Sequence, residues 1–138
     1  MIPLSKIMDA KARLEGIVQN TKLAFAPKLS QICGAKVYVK QENLQNTGSF
    51  KLRGAFNKIS SLGEEERACG VIASSAGNHA QGVAYSAKHY GIKGVIVMPE
   101  ATPLLKVMGV KELGAEAILK GNNYDEAYAY ALEYAKTH

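Results

Sequence analysis

Apolar residues along this chain recur in two alternating rhythms. Runs of four or five, bounded by glycine, proline or serine, occupy residues 70–74, 94–98 and 115–119, with the length and flanks of buried strands. Each run is followed by apolar positions three and four apart, over 78–90, 103–113 and from 124 onward. That spacing predicts helices with one buried face. Successive strand starts are separated by roughly one strand and one crossover helix. Near-continuous apolar strands alternating with helices predict an α/β fold: an open parallel sheet with helices on both faces and right-handed crossovers. Pro103 suits a first helical turn, where its missing N–H needs no partner. Gly91 and Gly114 stand where helix C-caps place glycine.

The first third is less regular. A helix is predicted from Ser5 as N-cap, with Ile7, Ala10, Leu14 and Val18 near one face, weakened or ended by Gly16. An extended piece over 21–25 precedes a short helix or turn after Pro27. Val37-Tyr38-Val39 reads as a strand, and 45–49 as a polar loop containing Gly48. Residues 51–62 read as a helix with Leu52, Ala55, Phe56 and Ile59 at helical spacing.

Composition narrows the class. The 138 residues, 47% hydrophobic and 21% charged, are those of one ordinary globular domain with its own core. No apolar run approaches the roughly 18 residues of a membrane span, so no membrane partner is expected. Residues 1–16 do not read as a secretory signal, and the cytoplasm is the expected compartment. Cys33 and Cys69 form no metal or redox motif, so no metal is expected and both thiols are expected to be reduced and mostly buried. The net charge of +5 is uneven: residues 1–60 carry ten basic side chains against three acidic, and 61–138 seven against nine. The basic residues form no run and are not interleaved with aromatics, so no nucleic-acid partner is expected.

In open α/β sheets, ligands bind where strands end and helices begin. Two such loops stand out, and neither is a dinucleotide fingerprint or a P-loop. The first runs Asn46-Thr47-Gly48-Ser49-Phe50-Lys51-Leu52-Arg53-Gly54-Ala55. It puts Lys51 at a helix start, where the macrodipole disfavours a charged ammonium. A neutral lysine is a nucleophile and a Schiff-base former. A solvated surface lysine is the alternative at that position, and Arg53 reads equally as an exposed salt-bridge partner. The second loop, Ser74-Ser75-Ala76-Gly77-Asn78-His79-Ala80-Gln81-Gly82, turns from strand to helix using small residues. Free N–H groups there suit a carboxylate or phosphate. Gly77 permits a tight turn, and Asn78 offers both a donor and an acceptor. Plain N-capping by Ser75 or Asn78 is the alternative, and His79 reads as a surface or packing residue.

Taken together, the two loops resemble those of the pyridoxal-phosphate enzymes with the tryptophan-synthase β-chain fold, and most closely the serine/threonine dehydratases. Residues 42–55, from Glu42-Asn43-Leu44-Gln45 through Gly54-Ala55, match that family's cofactor-lysine signature. Ser75-Ala76-Gly77-Asn78-His79-Ala80-Gln81-Gly82-Val83-Ala84 matches its asparagine loop. Met98-Pro99-Glu100 and Gly114-Ala115-Glu116 agree as well.

The resemblance implies the N-terminal lobe of a fold-type II enzyme using pyridoxal 5'-phosphate. Residues 1–36 would be a helix and extended segment belonging to that family's large domain, and 37–138 the α/β portion of its small domain. Lys51 would hold the cofactor and, once released, act as the base at Cα. Phe50 would pack against the cofactor ring, and Asn78 would bond its phenolic oxygen. Ser75, Ala76, Gly77 and His79 would bind the carboxylate of a small amino-acid substrate, chiefly through backbone. The implied reaction removes the α-proton of L-threonine or L-serine and then the β-hydroxyl, giving a 2-oxo acid and ammonia. A homo-oligomer is expected, and without the second domain the isolated lobe is expected to expose an apolar face and self-associate.

Two departures stand out. Related serine racemases carry serine where Ala76 stands, so racemisation is not expected. The family's early Thr-Pro-Leu is here Thr21-Lys22-Leu23. The implied glycine-rich phosphate loop, the group facing the pyridine nitrogen and most of the second domain are expected after His138, so the 138 residues alone are expected to be inactive. Other readings are a β-replacement or threonine-synthase-like enzyme, and a non-catalytic α/β module.

Overall fold

Three of the apolar runs become one parallel sheet in the computed structural model, which describes residues 1–138. The strands are β3 (Val71–Ser74), β4 (Gly94–Met98) and β5 (Glu116–Leu119), in spatial order β3-β4-β5. Val71 faces Gly94 and Ser74 faces Val97, while Val95 faces Glu116 and Met98 faces Leu119. Central β4 is buried along its whole length.

Alternation along β4 divides the core into two layers. Ile96 and Met98 pack with Ala80, Val83 and Ala84 of α5 (Asn78–Tyr90) and with Val107 and Val110 of α6 (Leu104–Glu112). Val97 points the other way, onto Ala127 and Ala131 of α7 (Tyr124–Thr137). Helices therefore cover both faces. Each fully buried aliphatic side chain in these layers contributes about 1.5–3 kcal/mol of transfer free energy. A further helix, α3 (Lys51–Ser60), lies over α5 and adds Ala55 and Ile59 to the first layer. Leu52, Ala55, Phe56 and Ile59 are all buried.

The helix ends follow the sequence chemistry. Gly91 closes α5 in the left-handed region at φ 63°, and Gly114, at φ 84°, follows α6. Asn123 caps α7 by accepting the Glu126 N–H at 3.0 Å.

The first third departs most from expectation. Helix α1 (Leu4–Leu14) begins after Pro3, so Ser5 lies inside it and caps nothing, and α1 buries no residue. Strands β1 (Leu23–Phe25) and β2 (Tyr38–Lys40) flank α2 (Pro27–Cys33) and pair antiparallel in a separate sheet. That pair joins the segments on either side of residue 36. A 3-10 turn over Glu42–Leu44 and helix α4 (Glu64–Ala68) have no counterpart in the apolar pattern because neither buries a residue. Cys33 and Cys69 are exposed, contrary to expectation: each sits at the end of a short helix with no buried face. Pro103 occupies the N-cap of α6, one position ahead of the first turn. No helix is long and apolar enough to cross a membrane.

Candidate functional site

The turn before α3 presents Lys51 to solvent. Gly48 takes φ +70°, a region that favours glycine, and its N–H donates to the Gln45 carbonyl at 2.7 Å. The chain then reverses through buried Ser49, whose Oγ accepts the Lys51 N–H at 3.3 Å. Lys51 is the first residue of α3, and no carboxylate lies within 4.0 Å of its ammonium. Its Nζ instead stands 5.3 Å from the ring centroid of Phe50, which is 61% exposed. Lys51 thus presents its side chain to solvent beside an uncovered aromatic ring.

The second loop follows β3. Ser75 N–H continues the sheet by donating to Val97 O at 3.0 Å, and Gly77 N–H reaches Ser75 Oγ at 3.4 Å. Helix α5 then begins at Asn78 with no side-chain cap, which removes the plain N-capping alternative. The N–H groups of Ala76 and His79 have no partner in the chain, and the first turn of α5 contains no acid. Those are the requirements of an anion site at a helix start. Gly77 is extended, at φ −137°, so conformational freedom is not what its position needs. A Cβ at Gly77 would meet no atom within 4 Å, so the space above it is open. Beneath the loop, Ser74 Oγ is buried without a hydrogen-bond partner.

The fold brings the two loops together. Lys51 O and Leu52 Cα lie against Gly82 of α5, 3.2 and 3.3 Å from where its Cβ would be. His79, one turn earlier on α5, titrates below its ordinary range, first through burial and second through the positive charge of Lys51. His79 keeps solvent contact, but its ring walls a cavity of about 260 Å³ whose other sides are Gly54, Ala55 and Ile59 of α3 and Ala73 of β3. That apolar wall desolvates the imidazole.

Arg53 lies elsewhere. Its Nε donates to Glu42 Oε2 and its Nη2 to Glu42 Oε1, both at 2.8 Å. This bidentate pair, with side chains only 30% and 15% exposed, holds the Glu42 carboxyl at about 2. The hydrogen bond from Arg53 is the main cause, against burial, which pushes the other way. Arg53 is therefore committed to Glu42 and not available to an anionic ligand. Sequence reasoning assigned nothing to Glu42 or Gln45. The signal that could have found them was their place in the lysine motif.

A family model described as pyridoxal-phosphate dependent enzyme matches residues 14–138. The chain belongs to this family. Among curated proteins it is similar to the L-threonine ammonia-lyase of Thermotoga maritima, with 54% identity over 96% of the chain and 33% of that protein. It is also similar to the catabolic L-threonine dehydratase of Staphylococcus aureus, with 49% identity over 99% of the chain and 40% of that protein. The chain thus spans between a third and two fifths of these relatives. Among solved structures, the processed form of threonine deaminase isoform 2 from Solanum lycopersicum superposes with TM-score 0.88 at 41% identity, covering 96% of the chain and 37% of that protein. The serine racemase of Dictyostelium discoideum superposes with TM-score 0.91 at 34% identity, covering 99% and 45%. The fold is that of the fold-type II members of the family.

The residues present fit the family's cofactor at its aldehyde and ring. Lys51 offers an uncommitted amine, Phe50 an exposed ring face, and Asn78 an exposed amide with no partner. The open space above Gly77 and the free N–H groups of Ala76 and His79 leave room and donors for a carboxylate beside them.

Proposed function

We propose that this chain carries the lysine and the substrate-carboxylate loop of an enzyme that deaminates L-threonine or L-serine to a 2-oxo acid and ammonia. The observation that carries this reading is the uncommitted Lys51 amine, packed through its own backbone against the helix whose N-terminus has free N–H donors. The likeness to L-threonine ammonia-lyases supports the substrate class. The activity is proposed for the full-length protein.

When bound, pyridoxal phosphate supplies an aldehyde for an amine and a ring that accepts the electron pair left at Cα. Lys51 Nζ would hold the cofactor and, once the substrate amine had displaced it, would take the α-proton. Phe50 would pack against the cofactor ring, and Asn78 would hydrogen-bond its phenolic oxygen. The backbone of Ala76, Gly77 and His79, with Ser75, receives the substrate carboxylate at the positive end of α5. That anchoring would hold the substrate in place while Lys51 takes the proton, making the step effectively unimolecular. The β-hydroxyl would then take up a proton and leave as water, and the enamine left behind would tautomerise and add water, giving 2-oxobutanoate and ammonia.

Ala76 has no proton to give, so removal and return of the α-proton on opposite faces is not proposed. A homo-oligomer is, with Leu104 and Leu105 of α6, both exposed, as part of its contact surface. Sedimentation velocity on the full-length protein tests this, and a strict monomer refutes it. We place the enzyme in the cytoplasm, where free thiols such as Cys33 and Cys69 stay reduced.

Borohydride trapping with peptide mapping tests the assignment. Reduction is expected to fix the cofactor on Lys51, and threonine is expected to give 2-oxobutanoate. Labelling elsewhere refutes the lysine. Turnover of O-acetylserine or O-phosphohomoserine without threonine would instead make it a β-replacement or threonine-synthase-like enzyme.

A further inference from the structure

The side chains that hold the lysine turn form one connected polar cluster, and none of them enters the reaction above. Glu42 stands before the turn and Arg53 after it, so their bidentate pair closes a loop that carries Ser49, Phe50 and Lys51. Gln45 is buried. Its amide grips the backbone of Gln19 twice: Oε1 accepts the Gln19 N–H at 2.7 Å, and Nε2 donates to Gln19 O at 3.1 Å. Arg53 Nη2 donates to the same carbonyl at 3.2 Å. Thr21 Oγ1 donates to Glu42 Oε1, and Lys40 Nζ donates to Thr21 O at 2.8 Å. The segment around Gln19 is thereby fastened to both flanks of the turn.

Helix geometry says what this fastening controls. Residues two apart on an α-helix project about 200° from one another, so Arg53 and Lys51 leave α3 on nearly opposite sides. Anchoring Arg53 to Glu42 fixes the rotation of the first turn of α3 about its axis. The direction of Lys51 follows. We infer that Glu42 and Arg53 are positioning residues for Lys51, their paired side chains setting the direction in which its amine is presented. The inference rests on Lys51 being the cofactor lysine, as proposed above.

A purely structural ion pair makes a different forecast. Removing one partner strands a part-buried charge and destabilises, whereas replacing both with neutral residues relieves that penalty. The test uses the full-length protein with E42Q, R53K and the double variant E42Q/R53Q. Its readouts are thermal stability, the rate of borohydride-dependent labelling of Lys51 by pyridoxal phosphate, and kcat and KM for threonine. E42Q/R53Q is expected to recover much of the stability lost in E42Q. It is nevertheless expected to label Lys51 about 10- to 100-fold more slowly than the wild type, the scale of effect a misplacement of about 1 Å produces, with kcat falling and KM little changed. R53K keeps the charge but loses the fork; it is expected to stay folded and label slowly, which keeps the test open if the double variant unfolds. Labelling at the wild-type rate in folded E42Q/R53Q or R53K overturns the inference. A wild-type protein that never labels at Lys51 overturns instead the reading on which it rests.

Discussion

Gly82 of α5 and Lys51 of α3 meet backbone to backbone. A Cβ on Gly82 would stand 3.2 Å from the Lys51 carbonyl oxygen, 3.3 Å from Leu52 Cα and 3.2 Å from Ala55 Cβ. The first two are main-chain atoms and cannot rotate away. Gly82→Ala adds about 1 kcal/mol of helix propensity, offset by the displacement of α3. The expected result is a melting temperature close to wild type with slower borohydride-dependent labelling of Lys51. An unchanged labelling rate would show that the two helices have slack.

His79 reports on the same meeting of loops. Its imidazole is pushed down by burial first and by the Lys51 charge second. Lys51→Met removes only the second cause. The His79 titration followed by proton NMR is expected to move up, stopping below the ordinary histidine range because the apolar wall remains. No movement would mean that the two side chains do not sense each other.

Acid should weaken the brace around the lysine turn. The Glu42 carboxyl titrates at about 2 instead of its ordinary 4.5, so the unfolded chain binds the proton first as pH falls. The stabilisation is therefore complete above about 4.5 and is lost as pH falls towards about 2. Denaturant melts across that window should show stability falling with pH, with a flatter dependence in Glu42→Gln. Equal slopes would contradict the pairing with Arg53.

Gly94, at the start of central β4, has no room for a side chain: a Cβ there would sit 2.9 Å from Ala87 Cβ and 3.5 Å from Ala115 Cβ. Gly94→Ala is expected to destabilise by about 1–3 kcal/mol through overpacking, read as a lower urea midpoint with an unchanged slope. An unchanged midpoint would mean that α5 can ride away from the sheet freely.

The elements that bury apolar surface were legible in the sequence, because burial writes a period into it. Helix α5 runs over Asn78–Tyr90 as the spacing predicts, and β4 over Gly94–Met98. Elements that bury nothing left no such mark. That is why α4 was invisible; α1 is the exception, legible from its amphipathic spacing although it buries no residue and only lies against α3. Lys51 and the Asn78 loop could be singled out because helix starts have known chemistry. The brace could not be deduced the same way. Gln45 grips Gln19 across 26 positions and Arg53 reaches Glu42 across 11, and polar pairing over such distances imposes no periodicity.

The brace has a consequence for the order in which the protein is made. Its residues, from Gln19 to Arg53, all precede Val71, the first residue of the parallel sheet. Chains emerge from the ribosome N-terminus first, so every donor and acceptor of the brace has been synthesised before β3 exists. The lysine turn has its local scaffold in hand early, and α5, whose Gly82 receives the Lys51 carbonyl, is the first later element that must find it.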